Sequence, residues 1–110
     1  MTMRDKIGDG LLFAYYGGLL NEHQQEIMRL YCECDMSLGE ISEETGLTRQ
    51  GVRDVIVRST EKLKDCEEKL GLVVKVRKIV SSLENMLDRC DFDDETKNEV
   101  EKLLKEIEEI

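Results

Sequence analysis

The chain has 110 residues, no proline, 8 glycines, 4 cysteines and 37% charged residues, with 25 acidic against 16 basic side chains and a net charge of −9. A chain of that length builds one domain with a modest core; no run approaches the roughly 20 apolar residues of a membrane span, and the amino terminus lacks the charged-then-apolar plan of a secretion signal. The expected location is therefore the cytoplasm, where Cys32, Cys34, Cys66 and Cys90 stay reduced, and the lack of proline leaves long helices uninterrupted.

Residues 2–16 are expected to form a first helix. Ile7, Leu11, Leu12, Tyr15 and Tyr16 recur at helical spacing, and Gly17-Gly18 ends the run. Phe13, Tyr15 and Tyr16 offer either a stacking surface for bases or, the commoner use of such residues, closure of a small core. Asn21 reads as the N-cap of a second helix, with Gln24 as its capping-box partner. The apolar stripe of that helix is Ile27, Leu30, Tyr31 and Cys34, and Asp35-Met36 leads out of it.

Residues 37–58, SLGEISEETGLTRQGVRDVIVR, read as two helices joined by a tight turn. Ser37 is an N-cap and Glu40 completes its capping box. Leu38 and Ile41 put apolar groups on one face. Gly46 can take the left-handed conformation that stops the helix. Leu47 anchors the turn, and Thr48 caps the next helix. Val52, Val55, Ile56 and Ser59 form the buried stripe of that helix. Small Ser42 falls where the two helices should approach most closely. A turn this short favours a steep crossing, the helix-turn-helix arrangement whose second helix enters a DNA major groove. With helical rotation counted from Val52, Gln50, Asp54 and Val57 face outward and Arg53 and Arg58 flank them. Gln and Arg read adenine and guanine edges, and Arg and Lys neutralise phosphates. An ordinary helical hairpin with a solvated polar face is the plainer alternative.

The second helix of the pair is expected to run on over residues 48–70. Leu63, Cys66 and Leu70 continue its stripe, and no breaker precedes Gly71. Residues 47–64 carry Arg49, Arg53, Arg58, Lys62 and Lys64 against Asp54 and Glu61, a locally positive segment in an acidic chain. Past Lys64 it turns acidic, with Asp65, Glu67 and Glu68, so the base-reading portion is the first half. A further helix is expected over residues 73–90, with a stripe of Val76, Ile79, Val80, Leu83, Met86 and Leu87. Asp91-Phe92-Asp93-Asp94 is a break with capping carboxylates, and the last helix carries Val100, Leu103, Leu104, Ile107 and Ile110. Its other faces hold Glu95, Glu99, Glu101, Glu106, Glu108 and Glu109. A like-charged face of that kind repels DNA; it serves solubility, or else an interaction arm that meets a second copy or a basic protein.

The stretch LLFAYYGGLL (residues 11–20), residues 21–25 and residues 37–56 resemble the YlxM family of small bacterial helix-turn-helix proteins. The middle segment is also similar to the sigma-factor domain that reads the −35 promoter element. The resemblance is close over residues 1–72 and loose beyond. It implies a DNA-binding, regulatory protein, linked to the signal recognition particle pathway by gene neighbourhood.

Enzyme chemistry has no support. There is no Gly-rich phosphate loop and no Ser/His/Asp set, and His23 has no recognisable partner. Cys32-x-Cys34 is not the C-x-x-C spacing of a zinc knuckle, so neither metal nor cofactor is expected. The expected fold class is all-α: a three-helix helix-turn-helix unit, winged-helix-like or similar to region 4 of sigma factors, plus two carboxy-terminal amphipathic helices. Residues 1–72 form the helix-turn-helix domain and residues 73–110 a helical arm suited to homodimerisation. The leading partner is duplex DNA. Gln50, Arg53, Asp54 and Val57 would face base edges, and Thr48, Arg49, Arg58 and Lys62 would hold phosphates. The alternative is an adaptor that binds the protein or RNA of the signal recognition particle, favoured by the net charge of −9.

Overall fold

The computed structural model describes residues 6–108, and side chains from residue 8 onward. The expected helix start at Thr2 and the side chains of Ile7 and Ile110 lie outside the described residues. Among the described residues six α-helices follow one another: α1 (Lys6–Tyr16), α2 (Glu22–Cys32), α3 (Leu38–Thr45), α4 (Arg49–Leu70), α5 (Leu72–Arg89) and α6 (Asp94–Glu108). No strand occurs among the described residues, so the fold is all-α, and where a winged helix would place its β wing α4 simply continues. The chain divides into two compact units, Met1–Leu70 and Gly71–Ile110.

In the first unit α4 packs against α1, α2 and α3, which makes it the hub. The side chains that converge there include Tyr16, Leu20, Ile27, Met28, Ile41, Val52, Ile56 and Leu63, all buried. Full burial of a side chain of this size removes about 1.5–3 kcal/mol worth of apolar surface from water, so these residues carry most of the unit's stability. Thr60 and Ser59 are also fully buried on α4, and neither hydroxyl finds a hydrogen-bond partner among the described residues. The Tyr16 hydroxyl donates to the Glu67 carboxylate, pinning the end of α1 to the acidic half of α4. Asp9 is fully buried in α1. Burial, and secondarily the charge of Asp9, push the Tyr31 phenol above its ordinary pKa.

Local chemistry explains most of the boundaries. Asn21 Oδ1 accepts from the Gln24 backbone N–H at 2.8 Å while Gln24 Oε1 accepts from the Asn21 N–H at 3.1 Å, closing the capping box at the start of α2. The end of α1 has a different cause from the one expected. Gly17 does not adopt positive φ; α1 tightens into a 3-10 turn over Gly17–Leu19. A Cβ on Gly17 would stand 2.9 Å from two atoms of the Phe13 ring, so the glycine is there for close packing. Cys34 is not part of the α2 stripe: it lies past the helix end, exposed, with its sulfur 3.7 Å from Arg29 Nη1. Met28 takes a fully buried place instead. None of the four cysteines is in a disulfide.

In the second unit α5 and α6 pack against each other. Asp93 caps α6 by accepting from the Thr96 N–H at 2.7 Å. The expected stripes are only partly covered. Val76 is buried, Val80, Leu83, Leu87, Val100, Leu104 and Ile107 are half-buried, and Ile79, Met86 and Leu103 are exposed. Leu70, expected to extend the α4 stripe, is 55% exposed.

Candidate nucleic-acid interface

Residues 37–48 hold two helix ends in a fixed relation. Ser37 Oγ accepts from the Glu40 N–H at 3.1 Å, and Glu40 Oε1 accepts from the Ser37 N–H at 3.0 Å. At the other end of α3 the chain turns at Gly46, with φ +79° and ψ 0°, and its N–H donates to the Ser42 carbonyl. That left-handed conformation costs an L-residue about 1–2 kcal/mol and glycine almost nothing. The Ser42 hydroxyl donates to the Leu47 carbonyl, so its role is to tie down the turn as well as to be small. The Thr45 hydroxyl donates to the Ile41 carbonyl at 2.7 Å. Thr48 Oγ1 then accepts from the Gly51 N–H at 2.9 Å and starts α4.

Three residues therefore separate α3 from α4, with a left-handed glycine first and an N-cap last. Ile41 on α3 and Val52 and Ile56 on α4 are fully buried. This fixes which side of α4 faces out. About 100° per residue from Val52, the outward ridge is Gln50, Asp54 and Glu61, all exposed. Arg49, Arg53 and Lys64 lie on one flank and Arg58 and Lys62 on the other, again all exposed. Val57, about 140° from Val52, faces outward beside the ridge but is half-buried.

The sequence-predicted residues lie on the N-cap and the first two-thirds of α4, with three local arrangements that sequence reasoning did not anticipate. Gln50 Nε2 donates to Asp54 Oδ1 at 2.9 Å, so the two polar groups on the ridge engage each other. The Arg49 guanidinium lies over Gly39 of α3: a Cβ there would stand 3.0 Å from Nη2 and 3.2 Å from Nε. A glycine in the first turn of a helix, where alanine propagates helix better, was the available signal. Glu43 and Glu44 are exposed on α3, placing carboxylates on the motif's first helix. No group of three or more His, Cys, Asp or Glu suited to a metal occurs among the described residues. No helix there is long and apolar enough to cross a membrane.

Two short-linked helices, a left-handed glycine turn, a capped second helix and a polar outer ridge on that helix define the helix-turn-helix class. The family described as "Putative helix-turn-helix protein, YlxM / p13 like" matches residues 3–107, and the chain belongs to that family. Its relatives include the UPF0122 protein of Thermoanaerobacter sp. (strain X514), 39% identical over an alignment of 106 residues that covers 91% of each chain. The UPF0122 protein of Acetivibrio thermocellus is 43% identical over 108 residues, 96% of this chain and 92% of that one. The UPF0122 protein of Listeria welshimeri is 40% identical over 101 residues, 89% and 92% of the two chains. No solved structure matches at comparable significance.

Proposed function

We propose that the protein binds duplex DNA through the first half of α4 and acts as a transcriptional regulator. The observation that carries this reading is the ridge and its flanks. Gln50 and Asp54 project outward between cations on both sides, Arg49 and Arg53 on one and Arg58 and Lys62 on the other. A helix in the major groove meets base edges along its ridge and a phosphate strand on either flank. Arg53 is the base-reading cation, Thr48, Arg49, Arg58 and Lys62 hold phosphates, and Val57 meets a thymine methyl. Gln50 and Asp54 exchange their mutual hydrogen bond for base edges on binding. Selection from a random duplex library at low salt tests the reading; an enriched sequence whose affinity falls with Arg53→Ala supports it, and no enrichment overturns it.

A second reading is favoured by one specific observation, the net charge of −9. Here the protein is an adaptor that binds the protein or RNA of the signal recognition particle, with the helix-turn-helix fold retained and its acidic faces docking a basic partner. Capture from the native cell with and without nuclease separates the two. DNA-dependent capture supports the first reading, and nuclease-resistant capture of the particle's protein supports the second.

A further inference from the structure

The carboxy-terminal unit buries little of its own apolar surface. Among its described residues only Val76 is buried, and α6 has no buried residue. Ile79, Met86 and Leu103 are 52%, 45% and 49% exposed. Helices of this length draw their stability from packing of an amphipathic face, so the uncovered residues matter.

Their arrangement is regular. Counting about 100° per residue from Val76, Ile79 and Met86 fall at roughly −60° and −80°, while Leu83, Leu87 and Val80 stay within about 40° of zero. From Val100, Leu104 and Ile107 lie within about 40° and Leu103 at roughly −60°. α5 and α6 are in contact and joined by the short link 90–93, which makes them antiparallel neighbours. Because their chain directions oppose, an equal rotation in each helix brings both exposed edges to the same side of the hairpin. Two open depressions that share Ser82 lie along α5, one lined by Lys75, Lys78, Ile79 and Leu83 and the other by Asn85, Met86, Arg89 and Cys90; together they form the groove along the α5 edge.

Charge divides these edges. Beyond Ile79 and Met86 the next charged residues around α5 are Lys75, Arg89 and Lys78, all exposed, with Ser82 among them. Beyond Leu103 the next around α6 are Glu95, Glu99 and Glu106, also exposed. One side of the hairpin therefore carries a central apolar strip, a cationic border on α5 and an anionic border on α6.

We propose that the groove is occupied by a second copy of this chain. The α6 edge of each copy, Leu103 with Glu99 and Glu106, seats on the α5 edge of the other, Ile79 and Met86 with Lys75 and Lys78, to form a four-helix bundle. A two-fold axis parallel to the helices sets α5 against the partner copy's α6, antiparallel, with opposite charges at both borders. An axis perpendicular to the helices, lying in the plane between the hairpins, sets α5 on α5 and α6 on α6 and brings like charges together. The charge pattern thus selects one of the two symmetric packings.

Sedimentation equilibrium of the full chain tests this with two charge-reversed variants, Lys75→Glu/Lys78→Glu and Glu99→Lys/Glu106→Lys. The parent should be dimeric at micromolar concentration, and each variant alone should weaken dimerisation by at least about tenfold. An equimolar mixture of the two should regain parent-like dimerisation, because in the mixed dimer both half-interfaces recover opposite charges. The chain carrying all four changes should dimerise like the parent, and it serves as the test should either double variant lose helix content. A monomeric parent, as expected if the groove serves an acidic helix of a different protein, overturns the proposal. So does dimerisation indifferent to the reversals, or a mixture no tighter than its components.

Discussion

Gly46→Ala is the substitution whose cost follows most directly from the geometry. Gly46 has φ +79°, and no atom lies within 4 Å of where its Cβ would stand. A side chain added there meets no steric obstacle, so the penalty is purely that of left-handed backbone, about 1–2 kcal/mol. An offset of about 0.4–1 kcal/mol comes from the reduced entropy of the unfolded chain. The net destabilisation is about 1 kcal/mol, which lowers the melting temperature of a unit this size by about 4–8 °C. Gly46→Asn should lose less, because asparagine enters the left-handed region more readily. Gly10→Ala is the internal control. Gly10 lies within α1 and its Cβ would also meet nothing within 4 Å, but in helical backbone the change should stabilise by about 0.5–1 kcal/mol. Thermal unfolding followed by circular dichroism gives all three. If Gly46→Ala melts at or above the parent, the turn does not depend on the left-handed residue and the account of the α3–α4 junction is wrong.

Other outcomes follow from the core, the site and one cap. Ile56→Ala, at a fully buried position on α4, should cost about 2–5 kcal/mol, read from the urea midpoint at unchanged slope. On a selected duplex, Arg53→Ala should cost about 1–3 kcal/mol and relax base preference, whereas Lys62→Ala should weaken binding uniformly and reduce the log–log salt slope by about one. Hydrogen bonds from the Thr96 hydroxyl and backbone N–H hold the Asp93 carboxyl below the ordinary carboxylate range. A depressed folded-state value means that the cap's contribution is present above the ordinary carboxylate pKa and lost as pH falls through the lower folded value. Helicity titrated downward in pH should therefore show a loss that Asp93→Asn, still a capping residue, removes.

Local signals were legible because they are written in adjacent residues. Asn21 with Gln24, Ser37 with Glu40, the left-handed Gly46, the Thr48 cap and the uninterrupted run to Leu70 all stand as the sequence indicated. Periodicity told which face of a helix is apolar, but not how far a neighbour covers it. Val76 is buried while Ile79 and Met86, about 60–80° further around the same stripe, are exposed. Leu70 fits the α4 stripe by spacing and is exposed at the end of its unit. Thr60 and Asp9 are polar and so were absent from any apolar stripe, yet both are fully buried. At the candidate site, helical rotation gave the outward residues. The Gln50–Asp54 pairing and the seat of Arg49 over Gly39 depend on rotamers and on the α3–α4 approach, which no spacing rule encodes.

The acidity of the chain does not by itself decide against a duplex partner, because the range of its repulsion is set by salt. The cations Arg49, Arg53, Arg58 and Lys62 occupy the first two-thirds of α4, and its carboxylates Asp65, Glu67 and Glu68 the last third. Two of those carboxylates have internal uses: Asp65 pairs with Lys69 at 2.9 Å, and Glu67 accepts from Tyr16. At a rise of about 1.5 Å per residue, Glu67 stands about 21 Å along the axis from Arg53, more than twice the Debye length of about 8 Å at physiological ionic strength. The nearer acids, Asp54 and Glu61 on the ridge and Glu43 and Glu44 on α3, remain in range, and Lys62 stands only about 4.5–9 Å along the axis from Asp65, Glu67 and Glu68. Lowering the salt lengthens the reach of every distant carboxylate as well as strengthening each phosphate contact. A basic helix-turn-helix protein gains affinity steeply as salt falls; in this one the gain should flatten at low ionic strength. The curvature of affinity against salt, more than its absolute value, therefore distinguishes an acidic duplex reader from a protein that does not read duplex at all.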